Sequence, residues 1–192
     1  MEEISRKVLG IALTVFFLVM LVTPAVAKSP KKIPVTTGVN IFDMTLPTEF
    51  WVTAGNVAHG RGDTITAEWS VTGEGVSLEG TASEVGIFNA DLNNPGVEVM
   101  TMFGSVPAGT GIRRWDIVVD VGEGSTFEGS LVSRGIQWVY LEFPFAGASA
   151  LWDGVQHAVL HGTGDYQGWT LVWETVRVEG LDVSKEAYIL IP

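Results

Sequence analysis

The chain has no cysteine. Disulfides are therefore excluded, and so is a lipid-modified N-terminal cysteine. Whatever stability the fold has must come from its core. No Asn-x-Ser/Thr acceptor for N-glycosylation is present. Basic residues are also scarce: from Ile33 onward six Lys and Arg face 20 Asp and Glu, and the whole chain carries a net charge of −11. A body this acidic repels phosphate backbones and anionic headgroups, which excludes nucleic acid as a partner and argues against docking on anionic lipid. After residue 32 no stretch has helical periodicity, and no β-α-β alternation calls for a parallel sheet.

The longest apolar run lies at the start of the chain. Arg6 and Lys7 precede Val8–Thr23, 16 residues without a charge, and Pro24-Ala25-Val26-Ala27 follows. A basic start, an apolar middle and small residues at −3 and −1 make a secretory signal with cleavage after Ala27. The run falls short of the roughly 20 residues a bilayer span requires. Glu2 and Glu3 weaken the basic start and leave open an uncleaved anchor, in which case this segment alone meets the membrane. The expected organisation is a signal helix over 1–27, a tether over 28–32 and one domain over 33–192. The expected address is extracytoplasmic, secreted or in the cell envelope.

What remains is β-type sequence punctuated by glycine. Thr64–Thr72 places Ile65, Ala67, Trp69 and Val71 on one face and Thr66, Glu68 and Ser70 on the other. Arg113–Val121 sets Trp115, Ile117, Val119 and Val121 against Asp116 and Asp120. Gly168–Val178 alternates with Trp169, Leu171, Trp173 and Thr175 in phase, and Ile136–Phe143 is apolar on both faces, as in a strand buried on both sides. Weaker runs lie at Gly38–Phe42, Phe50–Asn56, Val76–Ala82, Val97–Phe103, Thr126–Val132, Ala150–His161 and Glu186–Ile191. Glycine-bearing links such as Thr72-Gly73-Glu74-Gly75 and Val121-Gly122-Glu123-Gly124 have hairpin length. This spacing predicts an all-β antiparallel barrel of about eight strands, with a β-sandwich as the alternative.

Several constellations suggest chemistry. Seven tryptophans is a high count for one domain. Trp69, Trp115, Trp138, Trp169 and Trp173 are candidates to line a ligand cavity, and equally to fill a core. His157 and His161 lie four apart in a strand, roughly 13 Å from each other, too far to share one ion. They are candidates for a general acid or base, while no metal site and no cofactor is expected. Arg61-Gly62-Asp63 reads as a glycine turn between strands.

Gly162-Thr163-Gly164-Asp165-Tyr166-Gln167-Gly168 has glycines enough for a phosphate loop, but a strand follows it rather than the helix such a loop needs. This Gly-x-Gly-x-aromatic-x-Gly turn resembles a segment of the allene oxide cyclase-like barrel superfamily, which includes the dirigent proteins. Phe127-Glu128-Gly129-Ser130-Leu131 is similar to a Phe-x-Gly strand of the same group. The resemblance covers about the last third of the chain. It implies an eight-stranded antiparallel barrel with a central apolar cavity, often oligomeric, that binds or steers small hydrophobic molecules. It transfers no catalytic residue. Three functions stay open: a binding module for a small apolar ligand, a cyclase or isomerase, and a non-catalytic protein of the cell envelope.

Overall fold

A computed structural model describes residues 29–102 and 104–192. The signal segment and Phe103, the end of one expected strand, lie outside the described residues. Ten strands follow in chain order: β1 (Lys31–Thr45), β2 (Glu49–Val52), β3 (Val57–Gly73), β4 (Val76–Asp91), β5 (Val97–Thr101), β6 (Gly104–Asp120), β7 (Thr126–Val139), β8 (Ser149–Gly162), β9 (Thr170–Val178) and β10 (Leu181–Ile191). Eight of them form an antiparallel meander, β1-β3-β4-β6-β7-β8-β9-β10, in which β1 also pairs with β10. That last pairing closes a barrel and rules out the sandwich. The short β2 and β5 are extra, hydrogen-bonded to the first halves of β3 and β6.

Closure is uneven. Lys31–Pro34 pair with Tyr188–Ile191 of β10, but from Val35 to Thr45 the described pairings of β1 are with β3 alone. The two strands therefore part and leave a lateral slot. Lys185 of β10 bridges it once, donating to the Thr37 carbonyl at 3.0 Å. β1 begins at Lys31, inside the stretch that reads as a tether.

The two ends of the barrel differ. Hairpins at Glu74-Gly75 and Val121–Ser125, and the turn Gly162–Trp169, gather at one end. There Tyr166 packs on Phe127 at 5.4 Å and on Trp169 at 5.2 Å, and Phe127 packs on Trp69 at 6.0 Å. Gly162 admits this contact, since a Cβ there would lie 2.3 Å from the Tyr166 carbonyl. The glycine-rich segment thus builds an aromatic plug. At the other end run the long connections through β2, through β5 and through 140–148.

Alternation sets the interior, and the register aligns inward residues into rows. One row is Ile65, Glu84, Ile117, Gly129, Leu160 and Leu171. The next, toward the open end, is Asp63, Gly86, Trp115, Leu131, Ala158 and Trp173. A third is Phe88, Arg113, Ser133, Gln156, Thr175 and Lys185. Beyond it, Gly111, Gly135 and Gly154 stand side by side. Gly135 and Gly154 have φ of 145° and 138°, and a Cβ on either would lie about 2 Å from a backbone oxygen of the facing strand. Only glycine permits that bend of the wall.

Two sequence expectations need correction. Ile136–Phe143 is not one buried strand: β7 ends at Val139, and Phe143 is 92% exposed in the following loop. Its apolar character reads the same in a strand or on a rim. Arg61-Gly62-Asp63 is not a turn between strands but a bulge inside β3. Gly62 takes φ 77° there, and the register shift turns Asp63 inward.

Candidate functional site

Near the plug the interior is packed. Ala67, Trp69, Val71, Val119, Phe127 and Leu160 are buried, at 3% exposure or less. Moving toward the other end, burial in the inward phase loosens over one stretch and then returns, with Asp63, Arg113, Ser133 and Thr175 at 7% exposure or less and the cluster of Ala58, Phe88, Ala90 and Val139 beyond them. Ile65, Glu84, Leu131, Gln156, Trp173 and Ala187 face in, yet each is half-buried rather than buried. On β1 the change is abrupt: Ile33 and Thr37 are buried, whereas Val39 and Ile41, on the same inner face, are 51% and 53% exposed. Val39 and Ile41 stand on the β1 edge of the slot and Ala187 on its β10 edge, and the barrel interior beside them is the candidate lumen.

The lumen mixes apolar walls with charge. Asp63 and Arg113 form a buried ion pair tying β3 to β6, and Arg113 also donates to the Ser149 carbonyl and to Ser149 Oγ. Its guanidinium lies 4.1 Å from the Trp115 ring centroid. Arg177 pairs with Asp182 at 2.8 Å near the open end and donates to the Leu151 carbonyl. Gln137 is fully buried, and neither atom of its amide has a hydrogen-bond partner. Glu84 differs from the other inward acids: among the described residues no hydrogen bond or ion pair engages its carboxylate.

Burial raises the Glu84 carboxyl above its ordinary value of 4.5, and the Arg113 charge offsets part of that rise. Asp63 is likewise raised by burial and pulled back by Arg113, while burial lowers Arg113. A carboxyl raised in the fold destabilises the native state once ionised. Stability is thus lost as pH rises through the interval between the ordinary Glu84 value and its higher native one. Arg113 and Asp63 are the charges facing it from β6 and β3. Glu84→Gln is expected to raise the melting temperature at pH 7, with the gain shrinking toward zero below pH ~4. Calorimetry across that range checks it; an equal gain at every pH contradicts burial as the cause.

The sequence candidates scatter. Trp69 and Trp115 face inward but are buried, at 3% and 6% exposure. Trp169 belongs to the plug. Trp138 lies on the outer wall, out of phase with the buried Gln137 and Val139 on either side. Of the five, Trp173 alone faces into the barrel while staying half-buried, packed against the core. His157 and His161 project from the outside of β8, opposite in phase to Ala158 and Leu160. His157 sits 3.7 Å from Glu174, and His161 hydrogen-bonds Thr170 at 3.3 Å. The third histidine, His59, stacks on Trp51 on the outside as well. Among the described residues no three His, Asp or Glu side chains converge for a metal.

Sequence reasoning missed Asp63, Glu84, Arg113, Gln156 and Lys185. Phase was the signal for two of them: Glu84 is in step with Ala82 and Phe88, and Arg113 with Trp115. A groove of about 640 Å³ lies over Gly38 between β1, β3 and β4, lined by Val39, Trp69 and Gly80 with Glu68 and Glu79 at its sides. Asn40 already donates to Glu68 there, at 3.2 Å.

An eight-stranded antiparallel barrel with two added strands is the class of protein defined here. No protein-family model matches the chain, no curated protein matches it, and no solved structure matches it.

Proposed function

We propose that this is an exported binding protein that holds a small, largely apolar molecule in the barrel lumen, admitted through the slot between β1 and β10. One observation carries the reading: Ile65, Leu131 and Trp173 face inward and yet stay only half-buried, at the level where Val39 and Ile41 on the β1 edge of the slot are exposed. Barrels of about eight strands either fill with side chains or hold one small ligand, and accessible inward apolar groups favour the second. The signal-like start and the resemblance to cyclase-like and dirigent-like barrels point the same way. The histidines, facing outward, give the cyclase reading no lumen base.

The test is titration of the purified protein with the neutral probe N-phenyl-1-naphthylamine, followed by its fluorescence. Saturable binding at micromolar probe is expected. Trp173→Ala is expected to weaken it roughly tenfold, the order of one lost aromatic contact. Trp51→Ala, on the outer wall, should leave it unchanged. Absence of saturable binding sinks the proposal.

A further inference from the structure

Resting on that reading, the geometry points to a hydrophobic amine, an apolar molecule bearing one protonated nitrogen, as the ligand class, with Glu84 as its anchoring residue. An acidic side chain facing a barrel interior is costly unless something compensates it. Two of the three inward acids are compensated within the protein: Asp63 by Arg113, Asp182 by Arg177. The nearest positive charge to Glu84 is therefore already engaged, by Asp63 and Ser149. Lys185, at the slot, gives its ammonium to the Thr37 carbonyl. Glu84 is left as a half-buried carboxylate with no hydrogen bond or ion pair, in a row with Ile65, Ile117, Gly129 and Leu160. The adjoining row brings Leu131 and Trp173. A carboxylate among aliphatic and aromatic walls suits an ammonium on an apolar body: the charge meets Glu84, and an indole face accepts a cation well.

An independent observation agrees. The net charge of −11 draws cations toward the protein and repels fatty acids and other anionic amphiphiles. That field acts before contact, while Glu84 acts at the end of the path, so one ligand charge satisfies both.

Three ligands of matched chain length separate the contributions: decylamine, decanol and decanoate, each titrated into the purified protein at pH 7 with tryptophan fluorescence as readout. Decylamine is expected to bind about tenfold tighter than decanol, the increment of one charge-assisted hydrogen bond, with decanoate weakest. In Glu84→Gln the amine should fall to within about twofold of decanol, while decanol binding is kept. A Glu68→Gln, Glu79→Gln double variant, which discharges the outer groove, should keep the amine preference. Decylamine binding no tighter than decanol overturns the inference and leaves the lumen reading standing. So does a preference that survives Glu84→Gln, or one lost in the groove variant. If none of the three ligands binds, the lumen reading fails together with it.

Discussion

Asp63→Ala is expected to cost roughly 3–5 kcal/mol of folding stability, a large share of the 5–15 kcal/mol that holds a typical domain together. The cost arises from what remains. Arg113 is 7% exposed, fixed against the Trp115 ring and unable to reach solvent. Without Asp63 its hydrogen-bonding partners are the Ser149 oxygens, with Glu84 left as a charge at longer range, and a buried guanidinium is held poorly without a directly paired carboxylate. The fold also commits space to this pair. A Cβ on Gly86 would lie 2.4 Å from Asp63 Oδ1 and 2.6 Å from the Trp115 ring, so glycine is what lets the carboxylate and the indole sit together. Adding Arg113→Met to Asp63→Ala removes the stranded charge, and the double variant is expected to be more stable than Asp63→Ala alone. Urea unfolding with unchanged slope measures both effects. A loss below about 1 kcal/mol for Asp63→Ala would mean that the pair is solvated rather than buried.

Much of the barrel was legible, because alternation is a property of the sequence and a barrel repeats it. The faces assigned to Ile65–Val71 and to Trp115–Val121 are the faces found. Legibility failed where register rather than alternation decides. β4 continues past Ala82 to Asp91, yet Glu84 and Gly86 on its inner face and the exposed Val85 and Ile87 on its outer face blur the alternation that would extend it. Glu84 looks like a solvent-facing acid until its phase with Ala82 and Phe88 is counted. Asp63 was hidden by the bulge at Gly62, which shifts the phase by one residue and so moves a turn-like acid into the interior. The tryptophans misled in the opposite direction. Composition weighs all seven alike, but Trp138 is on the outer wall, Trp169 is in the plug, and Trp69 and Trp115 are packed away. The slot between β1 and β10 has no local signature at all. It follows from how many residues of β1 find β10 before the strands part, which is a long-range fact.

The plug should prove as costly to disturb as the ion pair, for a different reason. Phe127→Ala is expected to lose about 3–5 kcal/mol, from the transfer energy of a fully buried ring and from the cavity left behind. Phe127 has no exposed surface, and its neighbours Trp69 and Tyr166 come from β3 and from the turn after β8. Collapse of the cavity would have to drag rings anchored on separate strands, so little of the loss is recovered. Trp173→Ala provides the contrast. Trp173 is only half-buried, so it should cost less stability than Phe127→Ala while weakening ligand binding. At a temperature where both variants remain folded, Phe127→Ala is expected to bind N-phenyl-1-naphthylamine with affinity within about twofold of the parent protein, because the plug lies beyond the packed layer of Ala67 and Leu160. Thermal unfolding and probe titration on the two variants therefore separate the end that holds the barrel together from the lumen that takes the ligand. If Phe127→Ala lost affinity as strongly as Trp173→Ala, the ligand would have to reach the plug, and the lumen would be deeper than the accessible residues mark it.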